Sequence, residues 1–308
     1  MKKTSIGGSA LIEGLMMIGP ENAAIAIRKS DGEIIIDKRP LPKKDIFTKI
    51  PVVRGVVSFF RQIVLVMKAL MYSAEFFEIE GEEGEPSKVD KFLEKVFGDK
   101  LKDVAIYIAV IFSLGFSIGL FLLLPNFIAG IIGFNKDVIS GVILYNLFEG
   151  VIKLILFFTY LYFTSKMSDI KRVWQYHGAE HKTIHCYEHD DELTVENVKK
   201  YSTKHPRCGT SFLFLVLVIS ILVFSLLPLS TLLVNILLRL AFVPLVAGLS
   251  YELLKFAGRS EWAIFKILNA PGLFFQLFTT KEPEDDQIEV AIAAFKNVLI
   301  DDKQADIW

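Results

Sequence analysis

All five histidines of this 308-residue chain fall between His177 and His205, and four recur at four-residue intervals: His177, His181, His185 and His189. The run reads His-Gly-Ala-Glu-His-Lys-Thr-Ile-His-Cys-Tyr-Glu-His, which is H-x-x-E-H twice in tandem. On a helix, side chains four apart lie one above the other, so each neighbouring pair presents two imidazoles to one ion. No single ion uses all four, because His177 and His189 stand ~18 Å apart at the helical rise. H-x-x-E-H is the reversed zinc-protease motif, in which two His ligate and the Glu acts as general base toward a metal-bound water. Glu180 fills that place in the first copy and Glu188 in the second.

Zinc, or another divalent transition metal, needs a third protein ligand. His205-Pro-Arg-Cys208 offers an imidazole and a thiol. Glu252 lies downstream at roughly the separation seen in H-x-x-E-H peptidases. Gly178 weakens the case for a helix through the first copy. The competing reading is a hydrophilic helix whose histidines sit on a solvated face and bind nothing.

The elements that hold these residues follow from hydropathy. Hydrophobic residues make up 52% of the chain and its mean hydropathy is +0.45, too apolar for a soluble globule of this size. Four apolar runs are long enough to span, at ~20 residues to cross a bilayer: 104–127, 138–163, 212–227 and 237–256. Lys and Arg crowd residues 1–103, 164–211 and 255–308, whereas the two remaining connections offer only Lys136 and Arg239. The bias toward positive loops inside places both termini and the histidine segment in the cytoplasm, with the chain a multi-pass protein of the plasma membrane. Met1-Lys2-Lys3 is not followed by an apolar stretch free of charge, which excludes a cleaved signal. A disulfide between Cys186 and Cys208 is not expected in a reducing compartment. The net charge of −1 shows no basic face for nucleic acid.

The fold expected is therefore mostly α and polytopic, with about four transmembrane helices and a cytoplasmic α+β portion. Residues 1–103 form a cytoplasmic β unit and amphipathic helix, 104–163 a first transmembrane hairpin, and 164–211 the His/Glu/Cys-rich segment. Residues 212–257 form a second hairpin, and 258–308 an interfacial segment and C-terminal helix. In the first of these, 23–29 and 33–38 pair as a β-hairpin across Ser30-Asp31-Gly32. The stretch 52–73 is amphipathic, with Val53, Val56, Val57, Phe60, Val64, Met67 and Met71 at helical spacing. It either packs in the cytoplasm or lies in the headgroup plane. Residues 78–90 form an acidic linker, and 262–278 is broken at Asn269-Ala270-Pro271-Gly272. The last helix has Pro283 in its first turn, acidic residues at its positive end, and an apolar stripe from Ile288 to Leu299 that needs a partner surface. Glu149 and Lys153, four apart in the second run, neutralise each other or, with Asn146, line a polar path.

Four stretches carry a resemblance: Gly7-Gly8-Ser9-Ala10-Leu11-Ile12-Glu13-Gly14-Leu15-Met16-Met17, Tyr176-His177-Gly178-Ala179-Glu180-His181-Lys182-Thr183, His205-Pro206-Arg207-Cys208-Gly209-Thr210-Ser211, and Thr279-Thr280-Lys281-Glu282-Pro283-Glu284-Asp285-Asp286. Over nearly its whole length the chain is similar to the YqhQ-like bacterial membrane proteins. The resemblance implies a domain of unknown function whose members are often described as predicted metal-dependent enzymes. It further implies a shared pattern of His177, Glu180, His181, Glu188, His205, Arg207 and Cys208, with His185 and His189 outside it. On that basis His177 and His181 are ligands, His205 or Cys208 completes the set, and Glu180 is the base. Glu13 either accepts backbone hydrogen bonds in a tight turn or approaches the histidines.

Three functions compete. One is a membrane-bound, metal-dependent hydrolase working at the cytoplasmic face on a peptide or lipid-linked substrate. The second is a non-catalytic factor that helps other membrane proteins insert or assemble, with Glu180, Lys182 and Arg207 as a structural polar network. The third is a transporter, for which the chain shows no clear internal repeat. The lipid bilayer is a partner under all three, and other membrane proteins are partners under the second.

Overall fold

The computed structural model describes residues 3–42, 46–76, 101–134, 138–228, 231–259 and 263–300. It divides into two compact units: Met1–Phe77 with Leu161–Ser220 and Arg239–Trp308, and Glu78–Tyr160 with Ile221–Leu238. The strands are β1 (Gly7–Leu11), β2 (Gly14–Ile18), β3 (Asn22–Arg28) and β4 (Ile34–Pro40). The helices among the described residues are α1 (Val53–Ala74), α2 (Leu101–Ile118), α3 (Leu124–Ile131), α4 (Ile139–Thr164), α5 (Ser168–Glu188), α6 (Val195–Lys199), α7 (Gly209–Ser225), α8 (Leu232–Arg259), α9 (Ala263–Thr279) and α10 (Asp285–Lys296).

The first unit is built on an antiparallel meander in the order β1-β2-β3-β4. The expected hairpin is β3–β4, turned at Gly32 with φ +89°. β1 and β2 add two strands, joined by the two residues Ile12 and Glu13 between the paired Leu11 and Gly14. The sheet is covered on both faces, so β2 and β3 read as continuous apolar runs instead of alternating ones. On one face Leu15, Met17, Ala24 and Ala26 pack with Tyr176 and Ala179 of α5 and Ile288, Ala291 and Phe295 of α10. On the other, Leu11, Met16, Ala23, Ile25 and Ile27 pack with Ala69, Leu65, Val66 and Leu70 of α1. The apolar stripe of α10 thus finds its partner inside the same unit. Its start is a capping box between Glu284 and Gln287, which leaves Pro283 ahead of the helix and not in its first turn.

Two further expectations need correction. α9 runs unbroken through Asn269-Ala270-Pro271-Gly272. Gly272 is needed there because a Cβ would come within 2.8 Å of the Ser211 hydroxyl oxygen. α5 likewise runs unbroken through Gly178. Trp262, Lys136 and the acidic linker 78–90 lie outside the described residues.

Four helices are long and apolar enough to cross a membrane: Val53–Ala74, Ile111–Ile131, Ile139–Thr164 and Leu233–Ala257. The number is the expected one but the membership differs. α1 qualifies, and α7, at 17 residues, falls short by length. α1 meets α8 where Gly55 and Gly248 let the backbones approach; a Cβ on Gly55 would lie 3.0 Å from the Gly248 Cα. Arg54 is ion-paired with Glu252 beside that crossing.

In the second unit α2 passes through a π-helical turn, Gly119–Leu123, into α3. Ala129, Tyr145 and Ile152 form its core. Glu149 and Lys153 are 3.8 Å apart as an i,i+4 pair. Asn126 donates to Glu149 at 3.4 Å, and Asn146 donates to the Leu227 carbonyl at 3.3 Å.

Candidate metal centre

α5 is the spine of the site, and two segments lie along it. From the N-terminus, the Glu13 carboxylate pairs with Arg172 and accepts from the Tyr176 hydroxyl, the Gly8 amide donates to Glu180 at 2.7 Å, and the Thr4 amide donates to Glu188 at 2.7 Å. β1 therefore runs antiparallel to the helix, fixing the carboxylates of Glu180 and Glu188. A Cβ on Gly8 would come 3.0 Å from the Glu180 carboxyl carbon and 2.6 Å from the Met16 carbonyl oxygen, so only glycine lets the strand lie this close. From the C-terminal side, the Lys281 amide donates to the Trp174 carbonyl at 2.9 Å and Gln175 donates to the Glu282 carbonyl. Gly178 is required by this strap: a Cβ there would collide with the Lys281 carbonyl.

His177 and His181 meet edge to face on one side of α5 with ring centroids 4.4 Å apart. His177 Nδ1 faces the Thr279 carbonyl at 2.7 Å, and His181 Nδ1 faces the Thr203 carbonyl at 2.5 Å. A carbonyl only accepts, so both rings hold a proton on Nδ1 and turn Nε2 inward, as metal-ligating histidines do when a carbonyl fixes their other nitrogen. His177 Nε2 lies 3.1 Å from Cys208 Sγ. His181 Nε2 is buried without a hydrogen-bond partner among the described residues. His177, His181 and Cys208 are all buried, and their ligand atoms lie within 4.8 Å of one another. The donor set fits an ion: zinc bonds of ~2.0–2.3 Å in tetrahedral array put N and S about 3.5 Å apart, so Sγ and Nε2 need to spread by only a few tenths of an ångström.

Without an ion the charges are those of an imidazolium–thiolate pair, whose proton a metal would displace. Burial works against a charged His177, but Cys208, then Glu180 and the Thr279 carbonyl, outweigh it and raise its pKa to about 9. Burial would raise the Cys208 thiol, yet His177 and His181 hold it well below an ordinary thiol. Burial lifts the Glu180 carboxyl above the usual carboxylate range, with His177, His181 and the Gly8 amide opposing in part.

A second group adjoins the first. His185, Glu188 and His205 offer one ligand atom each, again within 4.8 Å of one another. The His205 ring is 4.7 Å from His185 and 5.6 Å from His181. Its backbone is clamped by Gln276 of α9, which accepts from the His205 amide at 2.8 Å and donates to its carbonyl at 2.7 Å. Burial depresses the His205 pKa to about 4, leaving a neutral ring. Arg207 pairs with Glu188.

Of the residues singled out in the sequence, His177, Glu180, His181 and Cys208 come together, while His205 joins Glu188 and His185. Glu13 holds the rim of α5 and is in neither ligand group. Its φ of +46° marks the tight turn, where its carbonyl accepts from the Arg28 amide. Lys182 is buried, donating to the Lys199 carbonyl at 2.9 Å and pairing with Glu282. Glu252 is in neither group either; it pairs with Arg54 and accepts from the Val52 amide at 3.1 Å. Sequence reasoning missed the orienting carbonyls of Thr203 and Thr279 and the Gln276 clamp, since backbone acceptors leave no mark in residue type. The run from Thr279 was the one available signal, carried by the resemblance.

Comparison with known proteins yields a family model described as "Protein of unknown function (DUF1385)", matching residues 50–301. The "Uncharacterized protein YqhQ" of Bacillus subtilis is 37% identical over 297 residues, covering 95% of this chain and 92% of that protein. No solved structure matches.

Proposed function

The chain belongs to the DUF1385 family of proteins of unknown function, and from that premise we propose that it is a membrane-bound, metal-dependent hydrolase working at the cytoplasmic face. The observation that carries the reading is the inward, unpartnered Nε2 of His181 beside Cys208 and the Nε2 of His177. A buried polar atom without a partner is costly and asks for a ligand. Two imidazoles and a thiolate favour zinc, with three protein ligands leaving a fourth position open, as in catalytic sites.

Bound there, zinc would supply a Lewis acid and an acidified water at neutral pH. The residues of the chain do the rest. Thr279 and Thr203 fix the two tautomers, and Cys208 gives up its proton to serve as ligand. Glu180, held by the Gly8 amide and lifted by burial toward neutrality, takes a proton as general base. The positive-inside bias puts this pocket beneath the plasma membrane, within reach of peptide or lipid-linked substrates near the bilayer surface.

Elemental analysis of the detergent-purified protein tests the reading. The wild type is expected to hold stoichiometric zinc and His181→Ala to lose it. Glu180→Gln is expected to keep the metal and lose hydrolysis by at least a hundredfold, the scale of general-base catalysis. Wild-type protein free of bound metal after mild purification overturns it and leaves the polar network as the frame of an assembly factor.

A further inference from the structure

The first centre leaves His185, Glu188 and His205 without a role, although each is close to the others and two are buried. One atom among them stands out. Glu188 is fully buried, and its Oε1 is held by Arg207 and by the Thr4 amide, but Oε2 has no hydrogen-bond partner among the described residues. That oxygen faces His205 Nε2 at 3.5 Å. The separation is at the long limit of a hydrogen bond, and it is close to the ~3.4 Å between two donors sharing one ion at bonds of 2.0–2.1 Å. From these contacts we infer that the chain carries a second cation position, formed by His185, Glu188 and His205, that takes a divalent transition metal on a nitrogen-and-oxygen donor set.

The surroundings are those of such a site. A ligating carboxylate has its other oxygen fixed by outer partners, and Arg207 and Thr4 do that here. The guanidinium also makes a long contact of 3.4 Å with His205 Nε2, which a bound ion would replace. Its charge is neutralised by Glu188 Oε1, so it orients the carboxylate while opposing the cation only weakly. The Gln276 clamp sets the His205 backbone, and the Lys204 carbonyl orients the His185 ring at 2.9 Å. With no thiol, this donor set is harder than the first and suits manganese or iron as well as zinc. The His181 and His205 rings are 5.6 Å apart, which makes the two positions neighbours. His185 is outside the pattern implied by the family resemblance, so the second position is a property of this chain.

Cobalt titration of the chelator-stripped, full-length protein in detergent separates the two positions, because only the first has a thiolate to give a charge-transfer band in the near ultraviolet. Wild type is expected to bind two equivalents, and His185→Ala one, with the band intact. Cys208→Ser is expected to lose the band and keep one equivalent, and His189→Ala to keep both. One equivalent with the band in the wild type, or two in His185→Ala, overturns the second position and leaves the first standing. Loss of an equivalent in His189→Ala also overturns it, by showing that the ion sits on the outer His185–His189 pair. A single bandless equivalent that disappears in His185→Ala supports the second position while the proposed function fails. No bound cobalt overturns both. Circular dichroism and monodisperse elution confirm that each variant is folded.

Discussion

At the scale of single residues the two cysteines make opposite chemical statements. Cys186 is fully buried in the core among Val198, Tyr176 and Phe295, and burial pushes its thiol up to about 11. Cys208, also buried, is held low by the neighbouring imidazoles of His177 and His181, which outweigh the cost of burial. Alkylation is a reaction of the thiolate. At pH 8 the folded, metal-stripped protein is therefore expected to be modified by iodoacetamide at Cys208 and spared at Cys186. Cys186 becomes reactive only as pH rises toward 11. Zinc added beforehand is expected to protect Cys208, because the sulfur's electron pair is then engaged, and denaturation at pH 8 exposes both. Peptide mapping by mass spectrometry reads the pattern. Labelling of Cys208 at an unchanged rate with zinc present would remove it from the ligand set. Sequence made this residue visible through its place in His-Pro-Arg-Cys; that it, and not His205, sits beside His177 depended on the path of the loop.

At the scale of elements, what was legible followed from periodicity and what was not followed from burial on two sides. α10 announced itself by an acidic first turn and a stripe of Ile288, Ala291, Ile292 and Phe295. β1 and β2 did not, because Gly-Leu-Met-Met-Ile, buried on both faces, lacks the alternation that marks a half-exposed strand. Gly178 misled in a different way. Glycine weakens a helix by about 1 kcal/mol relative to Ala, yet here it buys the close passage of the strap from Thr279 to Glu282. Gly178→Ala is therefore expected to destabilise instead of strengthening α5. The Cβ meets a backbone carbonyl, which has no rotamer to yield, so the cost should reach the upper part of the ~1–3 kcal/mol range of overpacking. The Thr279 carbonyl that orients His177 moves with the strap, and zinc affinity should fall together with thermal stability in scanning fluorimetry. Higher stability in Gly178→Ala would mean the strap is not seated on the helix.

For the molecule as a whole, packing restricts how the chain crosses the membrane. The sheet precedes α1, α5 follows α4, and α10 follows α9, yet all three share one core. They must lie on one side of the bilayer, so the number of crossings between any two of them is even. Between β4 and α5 stand three apolar candidates, α1, the α2–α3 helix and α4. The packing of Leu65, Val66, Ala69 and Leu70 onto the sheet predicts that α1 is the one that does not cross. Its outer face exposes Phe60, Val64, Met67 and Met71 with Lys68 alongside, as a helix lying in the headgroup plane does. Between α5 and α10 the same parity would pair α8 with α7 and keep α9 on the near side, although α7 would span only ~26 Å at the helical rise. On this prediction the crossings would be the four runs of the hydropathy pattern, with α7 in place of the longer α1. Alkaline phosphatase, active only outside the cytoplasm, is expected to be active when fused in the connections at 135–137 and 229–230. It is expected to be inactive when fused after Asp190 or at the C-terminus. A spanning α1 would instead put the N-terminus and Asp190 on opposite sides. A fluorescent protein that matures only in the cytoplasm, fused to the N-terminus, would then stay dark. The shared core predicts that it glows, because α5 and the sheet that aligns its carboxylates cannot be parted by a bilayer.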